Sequence, residues 1–301
     1  MITSFEQMIQ KAAQNKPMRL AGAAAQDDAT ILAMHKAEEM GMIVPYLYGD
    51  IPTIEAVMKE HNITFKNATF VQADTMEEGC AKAVKAVADG EVDFIMKGLV
   101  DTNIFLKACL KGLPVDGLLS HVMTLDTHGA YHKLLITSDG GMCLYPTLEQ
   151  KKGIIKNALQ VAAALEIEHP NVSCLCAKEK VNPKMPSTVD AAELKKLGQE
   201  GYFGENVTVE GPIAFDLDTT KEAAKVKKFD SPVCGETDVF IVPNIEAGNI
   251  MGKIFDVIYG ATAAGVVVGC PVPIVMSSRG DSDASKMASI AMGSLMANLK
   301  K

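Results

Sequence analysis

Only two arginines occur among the 301 residues, and one of them, Arg279, stands in Ser277-Ser278-Arg279-Gly280-Asp281-Ser282-Asp283. Lysine serves solubility equally well, but the planar guanidinium alone offers a rigid fork that matches a phosphate or carboxylate in two-point contact. The loop reads as an anion site, unless Arg279 simply pairs with Asp281 or Asp283 to tie down a surface turn. Three other segments carry residues of the same kind. Met96-Lys97-Gly98-Leu99-Val100-Asp101-Thr102-Asn103 joins a cation, a glycine and a hydroxyl. Thr137-Ser138-Asp139-Gly140-Gly141 places two glycines where a backbone can approach a ligand closely. Pro243-Asn244-Ile245-Glu246-Ala247-Gly248-Asn249 is small and polar. Each alone is ordinary turn and cap chemistry; with the Arg279 loop they form a pattern.

Something must hold these loops, and hydrophobic periodicity says what. Short β-branched runs at 18–25, 42–48, 68–72 and 93–97 alternate with helical patterns from Asp27, at 52–60, 75–88 and 102–110, the rhythm of a parallel sheet. Asp27 and Thr75 stand at helix-cap positions. After Gly112-Leu113-Pro114, runs at 120–126 and 132–137 flank the Gly129 turn and predict an antiparallel pair. A helix at 148–165, a strand at 172–177, a helix at 187–199, a strand at 207–210, a helix after Asp218, a strand at 238–242 and a helix at 247–259 follow. Apolar strands at 265–269 and 274–276 and a final helix at 281–299 complete the chain. All four polar segments fall at strand ends that lead into helices, where parallel sheets bind ligands.

Hydrophobic residues make up 48% of the chain, with few aromatics and no tryptophan, which suits helices layered on buried sheet. The length exceeds one ordinary domain and predicts two lobes. A net charge of −8 argues against nucleic acid and anionic membrane surfaces, so an anionic ligand needs a local cationic pocket. Seven cysteines, an odd number scattered through predicted elements, and the lack of a leader-like start point to the reducing cytoplasm. The most apolar stretch, 260–276, is broken by glycines and prolines and is too short to span a bilayer. His121, His128 and His132 lack a companion carboxylate motif, so no metal is expected. No G-x-S-x-G elbow occurs.

The motifs together resemble the phosphate acyltransferases, the phosphate acetyltransferase and phosphate butyryltransferase family, and the butyryl branch most closely. The resemblance is carried by Met96-Lys97-Gly98-Leu99-Val100, Leu148-Glu149-Gln150-Lys151, Glu179-Lys180-Val181-Asn182-Pro183-Lys184-Met185-Pro186, Glu210-Gly211-Pro212, Pro243 to Asn249, and Ser277 to Ser282. It implies a two-lobed, three-layer α/β/α fold similar to isocitrate and isopropylmalate dehydrogenases. One lobe would comprise 1–114 with 262–301 and the other 115–261, with the active site in the cleft.

The activity implied is reversible transfer of a short acyl group, butyryl or similar, between coenzyme A and inorganic phosphate, by direct attack in a ternary complex. Acyl-coenzyme A, phosphate and acyl phosphate are then the partners, coenzyme A is a substrate, no cofactor is tightly bound, and the chain forms a homo-oligomer. By the same resemblance Ser278 and Arg279 hold phosphate and Asp281 serves the coenzyme A thiol. Lys97, Gly98, Thr102, Lys107, Asp139, Asn244, Asn249 and Ser277 would contact phosphate or coenzyme A. Lys107 lies where the acetyl branch carries a helix arginine. The acetyl branch's basic aspartate falls on Ser285, and Cys143 stands where the butyryl branch often has asparagine. These departures keep a second reading open, a coenzyme A or acyl-phosphate binding protein without turnover. A dehydrogenase of the isocitrate type is disfavoured by the scarcity of arginine for a carboxylate site.

Overall fold

The structure, a computed structural model, describes residues 1–276 and 282–300. The chain divides into two compact units, one of Phe5–Gly117 with Ala264–Lys301 and one of Met1–Ser4 with Leu118–Ala263.

The first unit is built on the strand order β3-β2-β1-β4-β11-β10. Strands β1 (Met18–Ala23), β2 (Ile43–Gly49), β3 (Thr69–Gln72), β4 (Phe94–Lys97) and β11 (Ile274–Val275) run parallel, and β10 (Thr262–Val268) is antiparallel to β11. Their helices are α1 (Phe5–Gln14), α2 (Asp28–Glu39), α3 (Ile51–Glu60), α4 (Met76–Ala88), α5 (Thr102–Gly112) and α11 (Asp283–Asn298). Asp27, Asp50 and Thr75 each accept from a first-turn N–H at the starts of α2, α3 and α4, which fixes where these helices begin. Helix α11 packs with α1 and α2 and against β4 and β11, while α4 and α5 form the other helical layer. Every residue of α11 from Ser285 to Ala297 is buried, so its small residues are packing surfaces. A Cβ at Gly293 would stand 2.6 Å from Val275 and 2.8 Å from the Phe94 ring.

Arg19, the other arginine, clamps this sheet. Its Nε and Nη2 donate to Asp93 at 3.1 and 2.7 Å, and Nη2 also donates to the Gly90 carbonyl at 2.9 Å. The hydrogen bond to Asp93 raises its pKa. One guanidinium is therefore structural, joining the starts of β1 and β4.

The second unit carries the order β5-β6-β9-β7-β8. Strands β5 (Ser120–Asp126) and β6 (Leu135–Ser138) form the expected antiparallel pair, and β6, β9 (Val239–Ile241), β7 (Asn171–Leu175) and β8 (Thr208–Ile213) are parallel. Helix α6 (Leu148–Ala164), started by a Thr147–Gln150 capping box, lies on β5, β6 and β9, and α7 (Pro186–Gln199) lies on β7 and β8.

Two predicted elements differ. The single helix expected after Asp218 is two short ones, α8 (Phe215–Thr219) and α9 (Lys221–Lys227), because Thr220 leaves helical geometry and caps α9. Asp218 therefore lies inside α8. The helix expected at 247–259 begins earlier, as α10 (Ile245–Lys253) capped by Asn244, and continues as a π-helical turn, Ile254–Ile258. Among the described residues no helix is long and apolar enough to cross a membrane.

Candidate functional site

In the first unit the strand order reverses at β1. Strands β2 and β3 lie on one side and β4 on the other, so the crevice beyond the carboxyl ends of β1 and β4 is where such a sheet binds ligands. Lys97, Gly98 and Thr102 sit there. Ala24, left-handed at φ 54°, turns the chain after β1, and the N–H groups of Gly98 and Leu99 donate to the carbonyls of Ala23 and Ala24 at 2.9 and 2.8 Å. A Cβ at Gly98 would lie 2.3 Å from the Ala24 oxygen, so only glycine fits. Lys97 is buried, and its ammonium donates to the carbonyls of Gly98 and Val100 at 3.1 and 3.2 Å. Thr102 opens α5 and is exposed, as is Lys107 further along it.

Strand β11 joins β4 in parallel, with Val275 opposite Met96, and its chain runs on through Met276. Ser277, Ser278, Arg279 and Asp281 lie outside the described residues. The description resumes at Ser282, whose hydroxyl accepts from the Ser285 N–H at 3.2 Å to start α11. Ser285, where the acetyl branch places its aspartate, is buried in that first turn.

In the second unit Asp139, Asn244 and Asn249 converge. Asp139 is buried, and its carboxylate accepts from the N–H groups of His121, Gly141 and Met142 at 2.9, 2.7 and 2.8 Å. It thereby moulds the loop after β6. That loop rests on α10. A Cβ at Gly140 would meet Gly248 at 2.7 Å, and Asn249 donates to the Gly140 carbonyl at 3.3 Å. Asn244 caps α10 by accepting from the Ala247 N–H at 3.0 Å, and the Tyr145 hydroxyl bonds to Glu246. The long Glu179–Pro186 motif has a comparable local cause. Buried Thr188 bonds to Asn182 and to Met185, folding the segment back onto the start of α7.

Beside α10 lies a cavity of about 1130 Å³, lined at the carboxyl ends of β9 and β7 and by Leu135 at the start of β6. Tyr131, Leu135, Leu175, Phe215, Val242, Met251 and Phe255 make it apolar, and Lys151, Asp190, Cys176, Ser187 and Asn244 supply polar groups. Lys151 is buried on the inner face of α6 and its ammonium lies 2.7 Å from Asp190. Neither residue was assigned a site role from sequence. A lysine in register with Ile154, Ile155 and Ala158 on one helix face was the available signal.

The thiols are poor nucleophiles. Burial pushes Cys143 up to about 12, with Asp139 adding to it, and its Sγ faces the Leu119 carbonyl at 3.6 Å. Burial also raises Cys176. Since the thiolate is the reactive form, Cys143→Ser is expected to leave the activity implied by the resemblance within about twofold of wild type, and iodoacetamide at pH 7.5 to leave Cys143 unmodified. Loss of activity in the serine variant would instead identify a covalent acyl carrier. The three histidines are dispersed. The His121 N–H goes to Asp139, His128 meets Thr262 at 3.1 Å and His132 meets Glu236 at 3.0 Å. No group of three potential metal ligands occurs among the described residues.

A family model described as "Phosphate acetyl/butaryl transferase" matches residues 73–294. The chain is 36% identical over 303 residues to phosphate butyryltransferase of Clostridium acetobutylicum, covering 100% of both proteins. It is 37% identical over 296 residues to phosphate acetyltransferase of Thermotoga maritima, covering 97% of this chain and 100% of that one. Among solved structures, the branched-chain phosphotransacylase from Enterococcus faecalis V583 superimposes with a TM-score of 0.81 at 28% identity, covering 93% of this chain and 99% of its own. The α/β fold is that of the phosphotransacylases, and the chain belongs to the phosphate acetyl/butyryl transferase family.

Proposed function

We propose that this protein transfers a short acyl group reversibly between coenzyme A and inorganic phosphate, with butyryl or a similar chain preferred. The observation that carries the reading is the full-length match to the butyryltransferase together with Ser278 and Arg279 in the sequence. Toward acyl phosphate, a phosphate oxygen attacks the thioester carbonyl and the coenzyme A thiolate leaves. In reverse, the thiolate attacks and phosphate departs. Arg279, with the hydroxyls of Ser277 and Ser278, holds the phosphate; Asp281 exchanges the thiol proton. Lys97, Thr102 and Lys107 contribute charge and donors toward phosphate and coenzyme A, and Gly98, whose N–H is taken by Ala23, shapes the loop that presents them. Asp139, Asn244 and Asn249 hold the loop whose backbone groups would meet the coenzyme. The inert Cys143 favours direct attack in a ternary complex. Coenzyme A enters as a substrate, no cofactor is tightly bound, and the enzyme works in the cytoplasm. Comparing kcat/KM for acetyl-, butyryl- and isobutyryl-coenzyme A tests the acyl preference; a value highest for acetyl would contradict it.

The second unit also supports self-association. Ile250, Val257, Ile258 and Tyr259 on α10 and the turn after it are 59%, 71%, 72% and 65% exposed, large apolar side chains unusual on a solvated face. A second copy of the chain covers them, in keeping with the homo-oligomer implied by the resemblance. Light scattering should give a dimer or larger species, and Val257→Glu a monomer. A monomeric wild-type protein would overturn this assignment.

A further inference from the structure

Asp218 of α8 is fully buried, with its carboxyl group between β7 and the segment leading into β9. The Ser173 hydroxyl donates to Oδ2 at 2.7 Å. Thr237 Oγ1 lies 3.2 Å from Oδ1 and also 3.2 Å from the Val233 carbonyl. Thr237 has one proton and a carbonyl can only accept, so unless that proton is shared between two acceptors, Thr237 donates to Val233 and accepts from Asp218. That second bond exists only if Oδ1 carries hydrogen.

The surroundings agree. The charged groups acting on Asp218 are carboxylates, Glu210 on β8 and Asp216 on α8 itself. Each has its own ammonium partner, Lys195 at 2.6 Å for Glu210 and Lys227 at 3.0 Å for Asp216. The thiols of Cys174, Cys176 and Cys234 and the Tyr131 phenol also face Asp218, and none supplies positive charge. Lys151 on α6, which acts on Cys174 and Cys176, is committed to Asp190. An ionised carboxylate here would be desolvated without a counter-charge.

We infer that Asp218 is a neutral carboxylic acid in the folded protein below neutral pH, and that its proton latches α8, which supplies Phe215 and Thr219 to the wall of the apolar cavity, onto β7 and Thr237. Burial holds the carboxyl up at about 7, with the hydrogen bond donated by Ser173 opposing the shift. An unfolded aspartate ionises near 3.9. Between these two values the folded state keeps a proton that the unfolded state has lost, so the contribution of Asp218 to stability falls as pH rises and levels off above about 7.

Asp218→Asn replaces the acid by an amide that can still accept from Ser173 and donate to Thr237. Its unfolding constant relative to wild type is expected to improve by about tenfold per pH unit from about 4 to 7, then hold constant. A ratio independent of pH would overturn the inference. Should the variant not fold, ¹³C-carboxyl NMR of aspartate-labelled wild type decides alone. One buried aspartate must titrate near neutrality; complete ionisation of all aspartates by pH 5.5 refutes the latch.

Discussion

Arg279→Ala is expected to lower kcat/KM for phosphate-dependent cleavage of acyl-coenzyme A by about 100- to 1,000-fold, the usual loss when a donor to developing charge is removed. In the sequence Arg279 falls after β11 and before α11 and belongs to neither, so the circular dichroism spectrum and unfolding midpoint should change little. Arg279→Lys separates charge from shape. Lysine keeps the positive charge but loses the two-point fork, so it should recover only a minor part of the activity. Full activity in Arg279→Lys would reduce the residue to a general electrostatic role, and full activity in Arg279→Ala would remove it from the site.

The second large effect concerns stability. Lys133 and Asp238 are both buried, with side chains 8% and 3% exposed, and their charged atoms are 2.8 Å apart. Asp238 also accepts from the Asn171 N–H at 2.8 Å, and Lys133 donates to the Glu236 carbonyl at 2.8 Å, so the pair ties β9 to β7 and to the start of β6. Lys133→Met keeps the apolar stem and deletes the ammonium, leaving an unpaired buried carboxylate. The expected loss is about 3–5 kcal/mol, read from denaturant unfolding at neutral pH. Adding Asp238→Asn should return part of it, because the stranded charge is gone while the Asn171 contact can persist. If the double variant is no more stable than Lys133→Met, the cost lies in packing and not in the uncompensated charge.

Local chemistry in the sequence anticipated most of the elements. Caps at Asp27 and Thr75 and the strand runs of the parallel sheets are set by residues close in sequence. Elements whose limits depend on distant partners were harder. Asp218 looked like a helix start because aspartate favours that place, yet its position inside α8 is set by Ser173, 45 residues earlier, and by Thr237. The extended helix at 247–259 contains a π-helical turn that apolar periodicity alone does not distinguish from α-helix.

The candidate site was legible where a residue's type is unusual for its place. Gly140 was read as a place where backbone could approach a ligand; in the structure it packs against the backbone of α10, as Gly98 does against that of Ala23 and Ala24, and a side chain at either would collide. Lys151 was harder to read, since the partner that makes its burial tolerable, Asp190, is 39 residues away. The apolar cavity was not legible, because Tyr131, Leu175, Phe215 and Phe255 come from separate elements and become neighbours only through the sheet order.

The most direct test of the account is the stoichiometry of one reaction, purified protein with butyryl-coenzyme A and inorganic phosphate. Free thiol and butyryl phosphate should appear one for one, neither should form without phosphate, and added coenzyme A should drive the reaction back. Coenzyme A binding without turnover, or thiol release that yields butyrate in place of butyryl phosphate, would contradict assignment of this chain as a working phosphate acyltransferase.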